Sequence, residues 1–246
     1  KDLVITGGNA TQGGGIYCWG SNPTISGCTI SGNTAASRGG GIWCYNDSNP
    51  TISNCTIKNN IAYYYGGGIF CWNSSNPTIS NCTIKNNIGR YGGGIYCYGS
   101  NPTISGCTIS GNNAILIGGG IYCYNYSNPT ITGCTISGNT ATPNYYGGGI
   151  YCEEQDNPTI SDSQICGNAP DQIYGDYEDD GGNTVADECP VDENCPADAD
   201  DNGVVDVIDL LAVIDGWGTD SSDMNGDGTT DVLDLLVVID GWGPCP

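Results

Sequence analysis

Residues 13–33 read GGGIYCWGSNPTISGCTISGN, and variants of this phrase return through the first two thirds of the chain. Each copy holds three strand-like runs, G-I-Y-C-W, P-T-I-S and C-T-I-S, separated by corners of Gly, Asn and Pro that suit tight turns. Propeller blades need about 40 residues, and leucine-rich repeats need Leu at fixed offsets. A repeat of about 26 residues with three strands therefore predicts one coil of a right-handed parallel β-helix. The tetrapeptide GGGI begins at Gly13, Gly39, Gly66, Gly92, Gly118 and Gly147.

Isoleucine recurs at one position of every run, and strand side chains alternate between the two faces of a sheet. The spacing predicts three inward columns of stacked Ile side chains, one for each run. The columns are Ile16, Ile42, Ile69, Ile95, Ile121 and Ile150; Ile25, Ile52, Ile79, Ile104, Ile131 and Ile160; and Ile30, Ile57, Ile84, Ile109, Ile136 and Ile165. An amide ladder is predicted at one corner from Asn33, Asn60, Asn87, Asn112, Asn139 and Asn168.

Charge divides the chain into parts. Residues 1–170 hold all five basic residues and six of the 27 acidic residues, whereas the other 21 acidic residues follow. The predicted organisation is a β-helix of about six coils over 1–170, an acidic linker or cap over 171–194 and a small α-helical domain over 195–246. An acidic run is usually a solvated tail, but two motifs in this one favour a folded domain.

The motifs are DADDNGVVDVID, which starts at Asp198, and DMNGDGTTDVLD, which starts at Asp223. Each places oxygen-bearing residues at loop positions 1, 3, 5, 9 and 12 and Gly at position 6, which is the pattern of a twelve-residue calcium loop. Two bound Ca²⁺ per chain are therefore expected. The predicted ligands are Asp198, Asp200, Asn202, Val204, Asp206 and Asp209 for one ion, and Asp223, Asn225, Asp227, Thr229, Asp231 and Asp234 for the other.

The duplicated loops, followed by DLLAVIDGWG and DLLVVIDGWG, resemble a dockerin, and the repeats resemble right-handed parallel β-helices of exported bacterial proteins. The dockerin resemblance implies a cohesin-like or cell-surface partner. Dockerins have Ser-Thr-like pairs at positions where this chain has Val207–Ile208 and Val232–Leu233, so this resemblance supports calcium rather than a particular partner.

Fifteen Cys in 246 residues indicate an oxidising compartment. A disulfide within each coil is predicted, and a stack of buried free thiols is the alternative. Cys152 is left without a partner. The predicted pairs are Cys18–Cys28, Cys44–Cys55, Cys71–Cys82, Cys97–Cys107, Cys123–Cys134, Cys166–Cys189 and Cys195–Cys245.

Aromatic residues alternate with the inward Ile and Cys of the first run, so the outer face of that sheet is a predicted contact surface for a protein subunit or a glycan. Stacking that only stabilises the sheet is the alternative. The face comprises Tyr17, Trp19, Trp43, Tyr45, Phe70, Trp72, Tyr96, Tyr98, Tyr122, Tyr124 and Tyr151. Six sequons permit N-glycosylation, at Asn9, Asn46, Asn54, Asn73, Asn81 and Asn125.

A binding or structural role is favoured over catalysis, because the chain has no His and the repeats offer too few carboxylates for a paired acid–base site. No apolar run is long enough to span a membrane, and no nucleic-acid partner is predicted. The chain starts without Met or a signal peptide, which predicts a processed, secreted or cell-surface protein.

Residues 1–12 resemble only the end of a coil. An open first coil and a C-terminal calcium domain predict head-to-tail self-association into an extracellular filament or surface assembly. The alternative function is a carbohydrate-binding or cell-surface anchoring module.

Overall fold

The computed structural model describes residues 2–142, 146–189, 204–205, 214 and 243–244. The chain forms two compact units, Lys1–Glu188 and Cys189–Pro246. In the second unit, β29 (Val204–Val205) pairs antiparallel with β30 (Gly243–Pro244). These described residues do not support the predicted α-helical domain, and most residues of the two calcium loops lie outside the described part of the chain.

The first unit is a parallel β-solenoid whose coils contribute short strands to four sheets, here called S1 to S4 in the order that follows each GGGI. S1 contains β3 (Ile16–Trp19), β7 (Ile42–Tyr45), β11 (Ile69–Trp72), β15 (Ile95–Tyr98), β19 (Ile121–Tyr124), β23 (Ile150–Cys152) and β26 (Ile173–Tyr174). S2 contains β4 (Thr24–Ser26), β8 (Thr51–Ser53), β12 (Thr78–Ser80), β16 (Thr103–Ser105), β20 (Thr130–Thr132), β24 (Thr159–Ser161) and β27 (Glu178–Asp179).

The other two sheets complete each turn. S3 contains β1 (Val4–Thr6), β5 (Thr29–Ser31), β9 (Thr56–Lys58), β13 (Thr83–Lys85), β17 (Thr108–Ser110), β21 (Thr135–Ser137), β25 (Gln164–Cys166) and β28 (Thr184–Ala186). S4 contains β2 (Asn9–Gln12), β6 (Thr34–Arg38), β10 (Ile61–Tyr65), β14 (Ile88–Tyr91), β18 (Asn113–Ile117) and β22 (Thr140–Ala141).

The parallel solenoid is confirmed, with two differences from the sequence-based prediction. S4 is a fourth strand position that the three-strand repeat did not include. In addition, β26, β27 and β28 pair in parallel with β23, β24 and β25, so residues 173–186 continue the solenoid instead of forming a linker. The solenoid extends beyond residue 170 because Ile173 and Val185 still align with the Ile columns of S1 and S3.

The core consists of the three predicted Ile columns. In S1, for example, Ile69 is in register with both Ile42 and Ile95. These side chains are fully buried, whereas Ile16 in the first S1 strand is only partly buried. Identical branched side chains thus repeat at the spacing between neighbouring strands, about 4.8 Å, and exclude water along the solenoid.

The GGG triplet that precedes S1 has two structural causes. Its first glycine has a positive φ, as at Gly66 (φ 65°), a conformation that residues with a Cβ rarely adopt. The second and third glycines lie against the next coil, where a Cβ on Gly67 would come within 2.5 Å of the Gly93 carbonyl oxygen. Only glycine therefore fits all three positions.

The predicted asparagine ladder is confirmed at the corner between S3 and S4. The Asn87 side-chain Oδ1 accepts hydrogen bonds from the Asn60 backbone N–H and side-chain amide, both at 3.0 Å. The Asn87 amide in turn donates to the Ile57 carbonyl at 2.9 Å. At the C-terminal end, Gln172 takes over as the acceptor for Asn168.

A second ladder, not foreseen from the sequence, runs along the corner between S1 and S2. The hydroxyls of Ser48, Ser75, Ser100 and Ser127 each accept a hydrogen bond from the backbone N–H of the residue one coil earlier. Asp156 is the last member, and its Oδ1 accepts from the Ser127 N–H at 2.6 Å. Its Oδ2 is buried and has no hydrogen-bond partner among the described residues.

The predicted in-coil disulfides are wrong: in each of the five coils with a predicted pair, both cysteines are free thiols. The reason is that each coil places them in separate columns, where a thiol contacts its equivalent in the next coil. For example, the Cys82 sulfur accepts from the Cys55 N–H at 3.4 Å. The free and buried thiols are Cys18, Cys44, Cys71, Cys97, Cys123 and Cys152 in one column, and Cys28, Cys55, Cys82, Cys107 and Cys134 in the other.

Cys166 and Cys189, a predicted pair, are both disulfide-bonded. Cys195 and Cys245 lie outside the described residues, so their pairing stays a prediction.

Candidate functional site

The aromatic face of S1 is the most distinctive surface of the described chain. It contains two columns that follow the solenoid axis. The inner column is Tyr17, Trp43, Phe70, Tyr96, Tyr122 and Tyr151, and the outer column is Trp19, Tyr45, Trp72, Tyr98 and Tyr124. Neighbouring rings stack along the inner column, for example Tyr96 on Tyr122 with centroids 4.7 Å apart and planes within 6°.

Both columns were predicted to be exposed. For the middle of the inner column, this prediction is wrong. Trp43, Phe70, Tyr96 and Tyr122 are only 2–4% exposed. They are buried because the outer column packs over them from one side, and the last residues of the S4 strands pack over them from the other.

These side chains form a groove with a volume of about 570 Å³. We define it by three sets of residues. The floor is Phe70, Tyr96 and Tyr122; one wall is Tyr65, Tyr91 and Ile117, at the ends of S4 strands; and the other wall is Trp72, Tyr98 and Tyr124, at the ends of S1 strands. The volume lies within the range of about 300–1,000 Å³ that is typical of ligand pockets.

The two ends of the groove carry opposite charges. At one end, the Arg38 guanidinium lies 4.4 Å from the Trp72 ring centroid and 5.9 Å from the Tyr65 centroid, so it contacts both walls. At the other end, the Tyr122 hydroxyl donates a hydrogen bond of 3.2 Å to Glu153 Oε1. Three coils of about 4.8 Å separate the Trp72 and Glu153 backbone positions, which are therefore about 14 Å apart along the axis.

Three tyrosines in and beside the groove, Tyr96, Tyr122 and Tyr151, are neutral at physiological pH. Burial raises the pKa of Tyr96 and Tyr122 well above the usual range. Burial, with the nearby Glu153 carboxylate, raises the pKa of Tyr151 to about 12. Tyrosine hydroxyls in and beside the groove can therefore both donate and accept hydrogen bonds.

Arg38, Ile117 and Glu153 are lining residues that the sequence analysis did not select. Arg38 and Ile117 are in register with Tyr65 and Tyr91, respectively. Arg38, Tyr65, Tyr91 and Ile117 share a signal in the sequence, because each of the four directly precedes a GGG triplet. Their variable chemistry, Arg, Tyr, Tyr and Ile, concealed the shared position.

No other predicted site residue is among the described residues that line the groove. Of the predicted calcium ligands, only Val204 belongs to the described residues, as part of β29, and the other eleven lie outside them. The asparagines of the six sequons are exposed or partly exposed. Five of them, Asn46, Asn54, Asn73, Asn81 and Asn125, have positive φ, so a turn requirement also explains asparagine there.

The chain belongs to the family described as "Periplasmic copper-binding protein (NosD)", whose profile matches residues 1–187. No curated protein and no solved structure matches the chain. A periplasmic family agrees with the expectation of a protein outside the cytosol. Among the described residues, no helix has the length and apolar character needed to cross a membrane.

The family match corrects the expected cofactor, two Ca²⁺ per chain, because the family description names copper instead. Protein sites for copper use Cys, Met and His. This chain has no His, and its single Met, Met224, lies outside the described residues. The described thiols are buried among isoleucines, and no three His, Cys, Asp or Glu side chains in the described part are grouped to hold a metal ion. The described residues therefore do not fit a copper centre.

Proposed function

We propose that this NosD-family protein is an extracytoplasmic glycan-binding β-solenoid and that the aromatic groove is its binding site. The observation that carries the proposal is the groove itself, in which rings form the floor and both walls over successive coils. The sugar rings of a glycan have apolar faces that pack on aromatic rings, and they have hydroxyls at their edges.

The shape of the groove favours an extended ligand. It follows the solenoid axis over two to three coils, roughly 10–14 Å, between its charged ends. Trp72, Tyr98 and Tyr124 offer one ring per coil, so successive sugars can each contact a ring. The neutral Tyr hydroxyls supply the few polar contacts that orient a ligand in a largely aromatic site.

Binding is favoured over hydrolysis. Glycoside hydrolases use two carboxylates that flank the bond to be cleaved. Glu153 is the only acidic residue among the side chains that line the groove. Asp156 is close in sequence, but its side chain is buried in the serine ladder and accepts from Ser127. We therefore propose that the protein is not an enzyme.

Calorimetric titration with tetrasaccharides of defined composition tests the proposal. Trp72→Ala removes a ring from the Arg38 end of the groove wall and should weaken binding about tenfold, which corresponds to about 1.4 kcal/mol. Trp19→Ala is the matched control. Trp19 belongs to the same outer column and is 65% exposed, but it does not line the groove. Equal effects of the two substitutions, or the absence of binding to every oligosaccharide tested, would contradict the proposal.

Head-to-tail assembly into a filament stays a prediction. Electron microscopy of the native protein is the measurement that decides it, and regular filaments are the expected result. A cohesin-like or cell-surface partner also stays a prediction.

A further inference from the structure

We infer, on the basis of the proposed glycan-binding function, that the groove selects glycans with one acidic sugar at its Arg38 end and neutral sugars towards Glu153. The ligand class is a polysaccharide in which acidic and neutral residues alternate. The acidic group is a carboxylate or a sulfate. The inference rests on the contacts of Arg38, on the place of Glu153 and on the distance between them.

Arg38 is positioned to bind an anion. Within the described part of the chain its contacts are with the rings of Trp72 and Tyr65, and not with a carboxylate. A guanidinium that packs on aromatic rings keeps its N–H groups available for a planar, bidentate interaction with a carboxylate. The side chain is partly buried, so its charge is less screened than that of a fully exposed arginine.

Glu153 has the opposite effect at the far end. Its carboxylate accepts a hydrogen bond from the Tyr122 hydroxyl, which fixes its position in the lining. A neutral sugar can donate hydroxyl hydrogen bonds to this carboxylate, whereas an acidic sugar would be repelled by it. A uniformly acidic glycan therefore binds more favourably at Arg38 and less favourably at Glu153.

The distance between the ends excludes small zwitterions. A ligand that contacts both charges must extend over two to three coils, roughly 10–14 Å. A single amino acid or monosaccharide does not reach this far. The overall charge of −22 opposes any acidic ligand, but this long-range repulsion is largely screened beyond about 8 Å at physiological ionic strength.

Three tetrasaccharides measured by calorimetry at 0.15 M salt separate the outcomes. A hyaluronan tetrasaccharide alternates uronate and N-acetylglucosamine, tetragalacturonate is uniformly acidic, and chitotetraose is neutral. The expected order of affinity is hyaluronan first, with the other two about tenfold weaker or more. A keratan sulfate tetrasaccharide that is sulfated only on its N-acetylglucosamine residues has no carboxylate and alternates acidic with neutral sugars. Binding of this compound would show that sulfate replaces carboxylate at the Arg38 end, and its failure to bind would restrict the acidic group to a carboxylate.

Substitutions at Arg38 and Glu153 test the roles of the two ends. Arg38→Gln should reduce the affinity for the hyaluronan tetrasaccharide about tenfold and leave that for chitotetraose unchanged, whereas Arg38→Lys should retain part of the preference. Glu153→Gln should raise the affinity for tetragalacturonate. Arg90→Gln is the matched control, because Arg90 lies over the Tyr64 ring outside the groove lining.

The possible failures are distinguishable. If chitotetraose binds as tightly as the hyaluronan tetrasaccharide, or if Arg38→Gln weakens both equally, the charge selection is wrong while glycan binding stands. If none of the oligosaccharides binds the unsubstituted protein, the proposed function fails, and this inference fails with it.

Discussion

Asp156 places a carboxylate at a buried corner position where the preceding coils have a serine hydroxyl. The coils before it place the hydroxyls of Ser48, Ser75, Ser100 and Ser127 at the same corner. A hydroxyl satisfies one neighbouring N–H and donates its own proton, as Ser127 does to the Tyr124 carbonyl. A carboxylate has a second oxygen, and in Asp156 this oxygen is buried without a partner in the described part of the chain. Burial raises the pKa of Asp156, because the charged form loses hydration.

Asp156→Ser should therefore stabilise the protein at neutral pH by about 1 kcal/mol. The pKa of Asp156 is higher in the folded state than in the unfolded state, where it is about 3.9. The folded protein consequently loses stability as the pH rises through the folded-state pKa, and the advantage of Ser should shrink again in acid. Thermal unfolding from pH 3 to pH 7 measures both effects.

The reverse substitution, Ser127→Asp, is the control. It places a carboxylate one coil deeper in the same ladder and should destabilise the protein at neutral pH. A variant Asp156→Ser that is less stable than the parent at pH 7 would show that the buried carboxylate is satisfied.

Tyr96 shows the same principle at alkaline pH. Burial raises its pKa in the folded state, while an unfolded tyrosine ionises near pH 10. The stability that depends on neutral Tyr96 is present below about pH 10 and declines as the pH rises above it. Tyr96→Phe should reduce this alkaline loss, and Phe70 at the equivalent position of the preceding coil indicates that Phe fits. Unfolding curves between pH 8 and pH 11 test it, with the exposed Tyr63→Phe as a control that should change nothing.

Among the strands and corners, the features that could be predicted are those whose residues recur in every coil. The Ile columns and the Asn ladder follow from residues that recur in every coil, and both were predicted correctly. S4 was missed because its strands, such as TAASR and IAYYY, share no obvious phrase. Their constant feature is the small buried residue two positions after the ladder asparagine: Ala35, Ala62, Gly89, Ala114 and Ala141.

The Asn ladder should contribute more to stability than its hydrogen-bond count suggests, because it is buried. Asn87→Ala leaves the Asn60 backbone N–H without its acceptor and removes one donor from the Ile57 carbonyl. We expect a loss of about 3 kcal/mol in the free energy of unfolding, measured with denaturant. Asn101→Ala is the matched control. Asn101 belongs to a ladder at an exposed corner, where water can replace the lost bonds, so the loss should be much smaller. Similar losses would mean that burial does not set the cost.

At the scale of the whole molecule, the thiols form two continuous sulfur columns inside the solenoid. The sequence predicted that these thiols point inward, but it did not predict which thiols contact one another. Inward direction alone cannot distinguish a partner across the lumen from one in the next coil. The groove was only partly predicted for a similar reason. Its floor and one wall lie on S1, whereas the opposite wall comes from S4 strands that the sequence did not reveal.

Alkylation of the unfolded, unreduced protein tests the state of the cysteines. Because the eleven thiols of the two columns are free, all eleven should react with iodoacetamide once denaturant exposes them. Cys166 and Cys189 should react only after reduction, because both are disulfide-bonded. Peptide mass spectrometry locates the label. Protection of Cys18 and Cys28 before reduction would instead support bonds within a coil.

Because each strand of the solenoid pairs only with its equivalents in the adjacent coils, a whole coil should be removable. Deleting residues 92–117 joins Tyr91 to the next GGG triplet and places Asn139 after Asn87 in the ladder. The shortened protein should fold with the same β-sheet circular dichroism and lose about 4.8 Å of groove. Deleting residues 92–104 is the control, because it removes half a coil, joins Tyr91 to Ser105 and puts the later strands out of register. This variant should lose β-sheet signal, and an equally well folded product would contradict the prediction.

The gene of such a protein carries near-identical segments in tandem, which is the arrangement that unequal crossing-over acts on. Every in-phase exchange would add or remove one coil and, with it, one ring on each side of the groove. The length of the groove would then change by one coil at a time, and no new side chain would have to evolve. The number of repeats would thus set the length of the ligand that the groove can bind.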